Sequence, residues 1–233
     1  ANERKANVLN DRGVAQWRLG KLKAALTDFN DAVQIYPEFA AIYNNRATVL
    51  LSLNEPEEAL KDLDRALLLA PSYVAAINNR AIANLALGKH SEAIADFNHA
   101  AQLQPTSPTA FNGRGRVQLA LNRPYAAIRD FTQAIALDPL YPAPWENKAL
   151  LYANAQRNEE ALACVERALA LEGAQLLAER LAAVDRHGAG AQGFDPLEPR
   201  AFPRSGIPPA PPVLCVPPGG GSRPYLAPPG VCH

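Results

Sequence analysis

Residues 40–73 read AAIYNNRATVLLSLNEPEEALKDLDRALLLAPSY, and the features of this 34-residue stretch recur along the chain. Its proline, Pro71, is matched by Pro37, Pro105 and Pro139, each 34 residues from the next. A fixed period of this length is typical of stacked supersecondary units, each too small to bury its own apolar face. We therefore divide the chain into five repeats and number the places of each from its first residue: 6–39, 40–73, 74–107, 108–141 and 142–175.

Small residues and large apolar residues recur at fixed places of the repeats. The twentieth place holds Ala25, Ala59, Ala93, Ala127 and Ala161, and the twenty-seventh holds Ala32, Ala66, Ala100, Ala134 and Ala168. The twenty-fourth holds Phe29, Leu63, Phe97, Phe131 and Val165. Alanines let two helices approach closely, and the large residues fill the space that remains. The pattern therefore predicts a pair of packed helices in every repeat.

Each repeat also carries a signal for a turn between two helices. In 40–73, apolar residues at three-to-four spacing predict a helix that ends near Leu53, and Pro71 prevents the second helix from continuing. The fifteenth place, between the helices, holds Gly20, Asn54, Gly88 and Asn122 in successive repeats. Gly and Asn tolerate the left-handed conformation that closes a helix. Because no alternating run of strand length interrupts this scheme, the sequence predicts an all-α fold.

The repeat resembles the tetratricopeptide repeat (TPR), whose unit is a helix, a turn and a second antiparallel helix closed by proline at the thirty-second place. The resemblance covers the five repeats and weakens in the last, where Gly173 replaces the proline. It implies a right-handed helical solenoid whose first helices line a concave groove. It also implies a module that binds other proteins.

The sequence changes character after the fifth repeat. Residues 175–186 predict one further amphipathic helix, which would cap the apolar end of a solenoid spanning 1–187. From Gly188 the chain is rich in proline and glycine, so 188–233 is predicted to be a disordered or partly polyproline II tail. The alternative is that this tail is a ligand for a domain with an aromatic groove.

Composition limits the partners. Lys plus Arg and Asp plus Glu both number 23, so no broad positive field favours nucleic acid or an anionic membrane. No apolar run approaches the roughly 18–20 residues that span a bilayer, and no membrane insertion is expected. The chain begins at Ala1 and contains no Met, so we expect a fragment or a processed form, and its compartment is not indicated.

The sequence offers no pattern for catalysis, a metal or a cofactor. No two of the four histidines lie at the spacing of a helix-borne zinc site, and the three cysteines have no metal spacing. Gly113-Arg114-Gly115 follows no strand and lacks a third glycine, so it is not a dinucleotide loop. Cys164 has no histidine partner and is interpreted as a packed helix residue. We therefore expect a protein that is not an enzyme.

Two charged series break together in the fifth repeat. The seventh place holds Arg12, Arg46, Arg80, Arg114 and then Lys148, and the twenty-third holds Asp28, Asp62, Asp96, Asp130 and then Cys164. The joint break predicts that each arginine meets an aspartate across the helix pair, as a structural ladder. The alternative is a charged track for a ligand, which paired charges do not favour because they leave little net field.

Asparagines recur on the first helix of the repeats. The fifth place holds Asn10, Asn44, Asn78 and Asn112, and the sixth holds Asn45, Asn79 and Asn147. Asparagine is a mediocre helix former, so local stability does not explain this series. Its amide both donates and accepts hydrogen bonds, which suits the backbone of an extended peptide. Bridges between repeats are the alternative, favoured for the fifth place, whereas groove contacts are favoured for the sixth.

One ligand class of the family can be compared with this sequence directly, the acidic tail of a chaperone. Family members that bind such tails use a clamp of Lys, Asn and Arg on three successive repeats. The matching places here hold Asn10, Val14, Asn45, Ala75 and Asn79, so the cations are missing and this ligand is not expected. Arg116 is the basic residue that we place in the groove.

The expected function is therefore a non-enzymatic interaction module that binds an extended peptide or a partner helix in its concave groove. Two alternatives stay open. The array could be the substrate-docking region of a larger enzyme whose catalytic domain is absent, or a structural spacer in an assembly.

Overall fold

A computed structural model describes the backbone of residues 2–187 and the side chains of residues 2–173. This part of the chain is entirely helical, with ten α-helices and no strand. In order they are α1 (Asn2–Arg18), α2 (Leu22–Ile35), α3 (Ala40–Ser52), α4 (Pro56–Leu69), α5 (Val74–Ala86), α6 (His90–Leu103), α7 (Pro108–Ala120), α8 (Pro124–Leu137), α9 (Pro142–Asn154) and α10 (Asn158–His187). The tail predicted over 188–233 lies outside the described residues.

The helices form consecutive pairs. The two helices of each repeat pack against each other, and the second helix of each repeat then packs against the first helix of the next. First helices of neighbouring repeats also touch. Because each repeat contacts mainly its neighbours, the chain builds a helical solenoid, as its period predicts.

The turn inside each repeat follows the sequence signal. Gly20, Asn54, Gly88 and Asn122 all have positive φ, between 55° and 72°. Gln156 occupies the same place in the fifth repeat with φ 60°. At Asn54 the closure is completed by the N–H of Glu55, which donates to the carbonyl of Leu50 over 2.9 Å. A left-handed residue thus ends each first helix and lets the second helix fold back.

Alanines and aromatic rings build the core of each repeat. The alanines at the twentieth and twenty-seventh places are fully buried in the first four repeats. An ideal Cβ at Gly13 would lie 2.8 Å from the ring of Phe29, and one at Gly115 would lie 2.5 Å from the ring of Phe131. These glycines are therefore required by close packing, since any larger residue would collide with the ring.

Contacts between repeats use a second set of apolar residues. Ile42 and Val49, at the third and tenth places of α3, pack in one cluster with Phe29 of the preceding repeat. Ala110 and Val117 of α7 pack in the same way with residues of α6. A spacing of seven residues puts both on one face of the helix, and this face covers the repeat before it.

The fifth repeat ends differently from the others. Its second helix, α10, continues to His187, so residues 175–186 are the C-terminal part of α10 and not a separate capping helix. The reason is local, because Gly173 stands where the other repeats have a proline that blocks helical continuation. The apolar face predicted for 175–186 concerns side chains outside the described set.

Candidate functional site

The site residues suggested by the sequence all lie on one side of the solenoid. We call this surface the first-helix face, meaning the side formed by α1, α3, α5, α7 and α9, which follow one another in order. The asparagines and Arg116 occupy the fifth, sixth and ninth places of these helices. The structure therefore places these residues on the first helices of five successive repeats.

The asparagines form a ladder of hydrogen bonds between repeats. The side-chain Nδ2 of Asn45 donates to Oδ1 of Asn10 over 2.9 Å. The same bond joins Asn79 to Asn44, again over 2.9 Å, and Asn147 to Asn112 over 2.9 Å. A sixth-place amide thus binds the fifth-place amide of the repeat before it. These contacts are bridges between repeats, which the sequence left open as the alternative to contacts with a ligand in the groove.

The ladder has one gap. Gly113 occupies the sixth place of the fourth repeat, so it has no side chain to donate to Asn78. The Oδ1 atom of Asn78 is buried and has no hydrogen-bond partner among the described residues. A Cβ at Gly113 would collide with the ring of Phe97. Packing of the ring has therefore replaced a hydrogen bond at this junction.

Burial separates the two asparagine series. The fifth-place asparagines are 6–9% exposed, whereas the sixth-place asparagines are half-buried. Asn79 and Asn147 use Nδ2 for the ladder, and their Oδ1 atoms accept no hydrogen bond from the described side chains. These oxygens remain available to the N–H groups of a ligand. The sixth-place side chains are thus the more accessible of the two series.

Arg116 is the most unusual charge on the first-helix face. As a residue it is half-buried, and within residues 2–173 no carboxylate lies at ion-pair distance from its guanidinium. Burial lowers its pKa, and the nearby Tyr141 offsets the shift in part. Tyr141 in turn accepts a hydrogen bond from Nδ2 of Asn112 over 3.3 Å, and burial raises the pKa of its hydroxyl. A partly desolvated cation without a carboxylate beside it favours an anionic or carbonyl ligand.

The ninth places give the rest of the face its chemical character. In order they hold Val14, Thr48, Ile82, Arg116 and Leu150. The first three are half-buried and uncharged, so the ninth places are neutral along α1, α3 and α5 and become basic at α7. Tyr141 was not among the residues predicted from the sequence. The signal that could have indicated it is the aromatic residue at the thirty-fourth place, which also occurs as Phe39 and Tyr73.

The arginines of the seventh place are structural. Arg46 donates to both carboxylate oxygens of Asp62, over 2.7 and 2.6 Å, and its third nitrogen donates to Asn30 of the preceding repeat over 2.9 Å. Arg12, Arg80 and Arg114 make the same bidentate pair with Asp28, Asp96 and Asp130. The predicted pairing is confirmed. Each pair joins the two helices of its own repeat, and from the second repeat on the arginine also donates a hydrogen bond to the repeat before it.

The described side chains offer little for catalysis. Cys164 is 6% exposed, and burial raises the pKa of its thiol, which disfavours the thiolate needed for nucleophilic attack. No group of three His, Cys, Asp or Glu side chains that could hold a metal occurs among residues 2–173. None of the helices described here has both the length and the apolar character needed to cross a membrane.

Comparisons with known proteins match this geometry. Family models of the tetratricopeptide repeat match residues 6–39, 46–111 and 112–175. Among solved structures, TTC0263, a thermophilic TPR protein of Thermus thermophilus, is similar with 26% identity and a TM-score of 0.68, covering 76% of this chain and 97% of that one. PilF of Pseudomonas aeruginosa shares the fold with 20% identity and a TM-score of 0.62, covering 82% and 95%.

One similar structure contains a peptide. The first TPR of Spaghetti (RPAP3), bound to the HSP90 peptide SRMEEVD, is 28% identical with a TM-score of 0.50 and covers 52% of this chain and 95% of that one. No match was found among curated proteins.

Proposed function

Because the chain belongs to the tetratricopeptide repeat family, we propose that it binds an extended peptide segment of a partner protein along its first-helix face. TPR domains are generally protein–protein interaction modules, and this chain retains their helix pairs in all five repeats. The observation that carries the proposal is the half-buried Arg116, whose guanidinium has no carboxylate partner among the described residues. Such a charge is costly to bury unless a ligand completes it.

The chemistry of the face indicates what the peptide should contain. Its backbone N–H groups would donate to Oδ1 of Asn79 and of Asn147, which the ladder leaves open. Apolar side chains would pack on Val14 and Ile82, and an acidic side chain or a carbonyl would bind Arg116. Neutral backbone contacts with a single charged contact predict sequence preference at one position of the peptide and tolerance elsewhere.

The structure bound to the HSP90 peptide supports peptide binding as an activity of this fold. Its ligand is acidic, whereas the first three repeats of the present chain have no cation at the clamp places, which hold Val14, Ala75 and the ladder asparagines. We therefore propose a partner segment that carries its acidic residue opposite the fourth repeat.

The test begins with affinity capture using the full chain and identification of partners by mass spectrometry. Peptides from a captured partner are then titrated calorimetrically at two salt concentrations against the wild type, Arg116→Ala and Asn79→Ala. We expect Arg116→Ala to cost about 1.5–3 kcal/mol of binding and Asn79→Ala about 0.5–1.5 kcal/mol, the usual values for charged and neutral hydrogen bonds. Added salt should weaken peptide binding by the wild type and leave peptide binding by Arg116→Ala almost unchanged.

The matched control is Arg129→Ala, which removes an exposed arginine of the second-helix side. It should bind like the wild type. If Arg116→Ala and Arg129→Ala bound the peptide with the same affinity, the proposal would be refuted. The affinity would then not depend on the charge of Arg116 at the first-helix face. Failure to capture any partner would favour the structural-spacer alternative.

A further inference from the structure

The last repeat leaves an apolar groove between α9 and α10, which we call the terminal groove. Its volume is about 580 Å³, and its walls include Leu150, Leu162, Val165 and Leu169. These four side chains are 41–61% exposed. Four large apolar residues in one groove form a surface that a protein normally covers.

The terminal groove lies where a sixth repeat would begin. At the twenty-fourth place, Phe29, Leu63, Phe97 and Phe131 are at most 1% exposed. Residues of the next first helix pack against this place, as Ile42 does in the cluster that contains Phe29. Val165 occupies the same place in the fifth repeat and is 41% exposed. The groove is therefore the position at which the first helix of a sixth repeat would pack, and residues 2–173 do not supply this helix. We call this position the seat.

Two polar places flank this seat. The fifth-place side chain accepts a hydrogen bond from the sixth place of the next repeat at three of the four junctions, as Asn44 does from Asn79, and the exception is Asn78, which faces Gly113. The twenty-fifth-place side chain accepts one from the next seventh place, as Asn30 does from Arg46. In the fifth repeat both acceptors are carboxylates, Glu146 and Glu166. Both acceptor positions of the fifth repeat are therefore negative, as the twenty-fifth place also is at Asp64, which accepts a hydrogen bond from Arg80 over 3.1 Å.

The first helices show which residues occupy such a seat. In α3 they are Ile42, Asn45, Arg46 and Val49, and in α9 they are Pro144, Asn147, Lys148 and Leu151. Two apolar residues seven apart cover the groove, and two donors, three and four residues after the first, reach the acceptors. Carboxylates form their strongest hydrogen bonds with cationic donors. Opposite Glu146 and Glu166, the matching donors are lysine or arginine.

We propose that the terminal groove binds a basic amphipathic helix from another protein, with apolar residues at i and i+7 and lysine or arginine at i+3 and i+4. This helix would dock as the first half of a sixth repeat. The site adjoins the first-helix face at Leu150 of α9, but it does not depend on peptide binding along that face. Glu172, a further carboxylate at the groove, adds to the attraction for a cationic helix.

A second copy of the chain does not fit this seat. Its own first helix, α1, offers Val8, Asp11, Arg12 and Ala15 at the corresponding places. Arg12 would reach Glu166, but Asp11 would face Glu146, and two carboxylates at hydrogen-bond distance repel each other. The charge at the sixth place thus distinguishes a foreign basic helix from a second copy.

A fluorescent peptide with the sequence of residues 40–54 and the change Asn45→Lys tests the proposal, because it carries the required pattern. Its matched control peptide carries Asn45→Asp, as at Asp11. Binding to the full chain is followed by fluorescence anisotropy. We expect saturable binding of the lysine peptide, weaker by roughly 2- to 5-fold with Glu146→Gln or with Glu166→Gln, and weaker still for the aspartate peptide.

Two protein variants complete the test. Val165→Lys places a cation in the groove and should abolish binding, while circular dichroism shows the helices retained, because the side chain is already partly exposed. Glu159→Gln removes an exposed carboxylate of the first turn of α10 and should leave binding unchanged.

Any of the following results would overturn the proposal. The first is no saturable binding of the lysine peptide up to roughly 1 mM, the weak limit of specific affinity. The second is equal binding of both peptides or indifference to Val165→Lys. The third comes from sedimentation velocity: a dimer of the full chain that Val165→Lys dissociates would show that a second copy occupies the groove.

Discussion

Gly113 stands where an asparagine would have to stand to donate a hydrogen bond to Asn78. At the other junctions of the ladder this bond is 2.9 Å long, as between Asn79 and Asn44. In the first and fourth repeats the phenyl ring lies against a glycine of its own repeat, whereas in the third it lies against Gly113 of the next. The eighth place of the third repeat is Ala81 instead of glycine. The ring of Phe97 occupies the space that a side chain at position 113 would need, so this junction lacks the hydrogen bond.

This gap predicts a difference between two equivalent substitutions. Asn78→Leu removes a buried oxygen that has no partner among the described residues, so it should be neutral or stabilising. Asn44→Leu removes the closer of the two acceptors of Nδ2 of Asn79, leaving the Oγ1 atom of Thr48 at 3.2 Å, and should cost about 0.5–1.5 kcal/mol, the usual net contribution of a hydrogen bond. Urea unfolding of both variants measures this difference, and equal losses would contradict the role assigned to the ladder.

The contact between Gly115 and Phe131 predicts coupled core substitutions. Gly115→Ala should overpack the fourth repeat by about 1–3 kcal/mol, because the new Cβ would lie 2.5 Å from the ring. In the second repeat the same places hold Ala47 and Leu63, both fully buried. Adding Phe131→Leu should therefore recover part of the loss. A double-mutant cycle measures the coupling, and strict additivity would show that the two residues do not compete for space.

The arginine–aspartate ladder predicts a large cost for removing one partner. Arg46→Met leaves the carboxylate of Asp62, whose side chain is 8% exposed, without its bidentate donor. We expect a loss of about 3–5 kcal/mol, and a smaller loss when Asp62→Leu is added. The control is Lys61→Met, which breaks an exposed pair with Glu58 and should cost at most about 1 kcal/mol. If thermal unfolding showed similar losses of stability for Arg46→Met and Lys61→Met, the arginine–aspartate pairs would contribute no more than exposed surface pairs.

Glu146 predicts a pH dependence of stability. Burial, and then the charge of Glu172, raise the pKa of its carboxyl above 4.5. Folding therefore favours the protonated acid, and the stability present below pH 4.5 is lost as the pH rises through the raised pKa. Glu146→Gln stays neutral and should melt at a higher temperature than the wild type at pH 7, with a difference that shrinks towards pH 4. A constant difference, or one matched by Glu159→Gln, would argue against this carboxyl.

The local architecture followed from sequence pattern. The proline period, the alanines at two places and the left-handed turn residues each restrict the backbone or the distance between helices within one repeat, and short-range sterics determine such features. The arginine–aspartate pairing was also predictable, because both series fail together at Lys148 and Cys164. The continuous α10 was not foreseen, although Gly173 carried the signal, since the absence of a proline permits a helix to continue.

Contacts between repeats required the tertiary structure. Sequence showed that asparagines recur, but whether an amide faces a ligand or a neighbouring repeat depends on how two helices stack, and the fold joins Asn45 to Asn10. The burial of Arg116 and the seat beside Val165 likewise exist only once neighbouring helices are in place. The sequence alone thus determined the repeat, because its constraints act within 34 residues. The tertiary structure decided which polar groups are satisfied and which apolar surface stays open, because both depend on contacts between repeats.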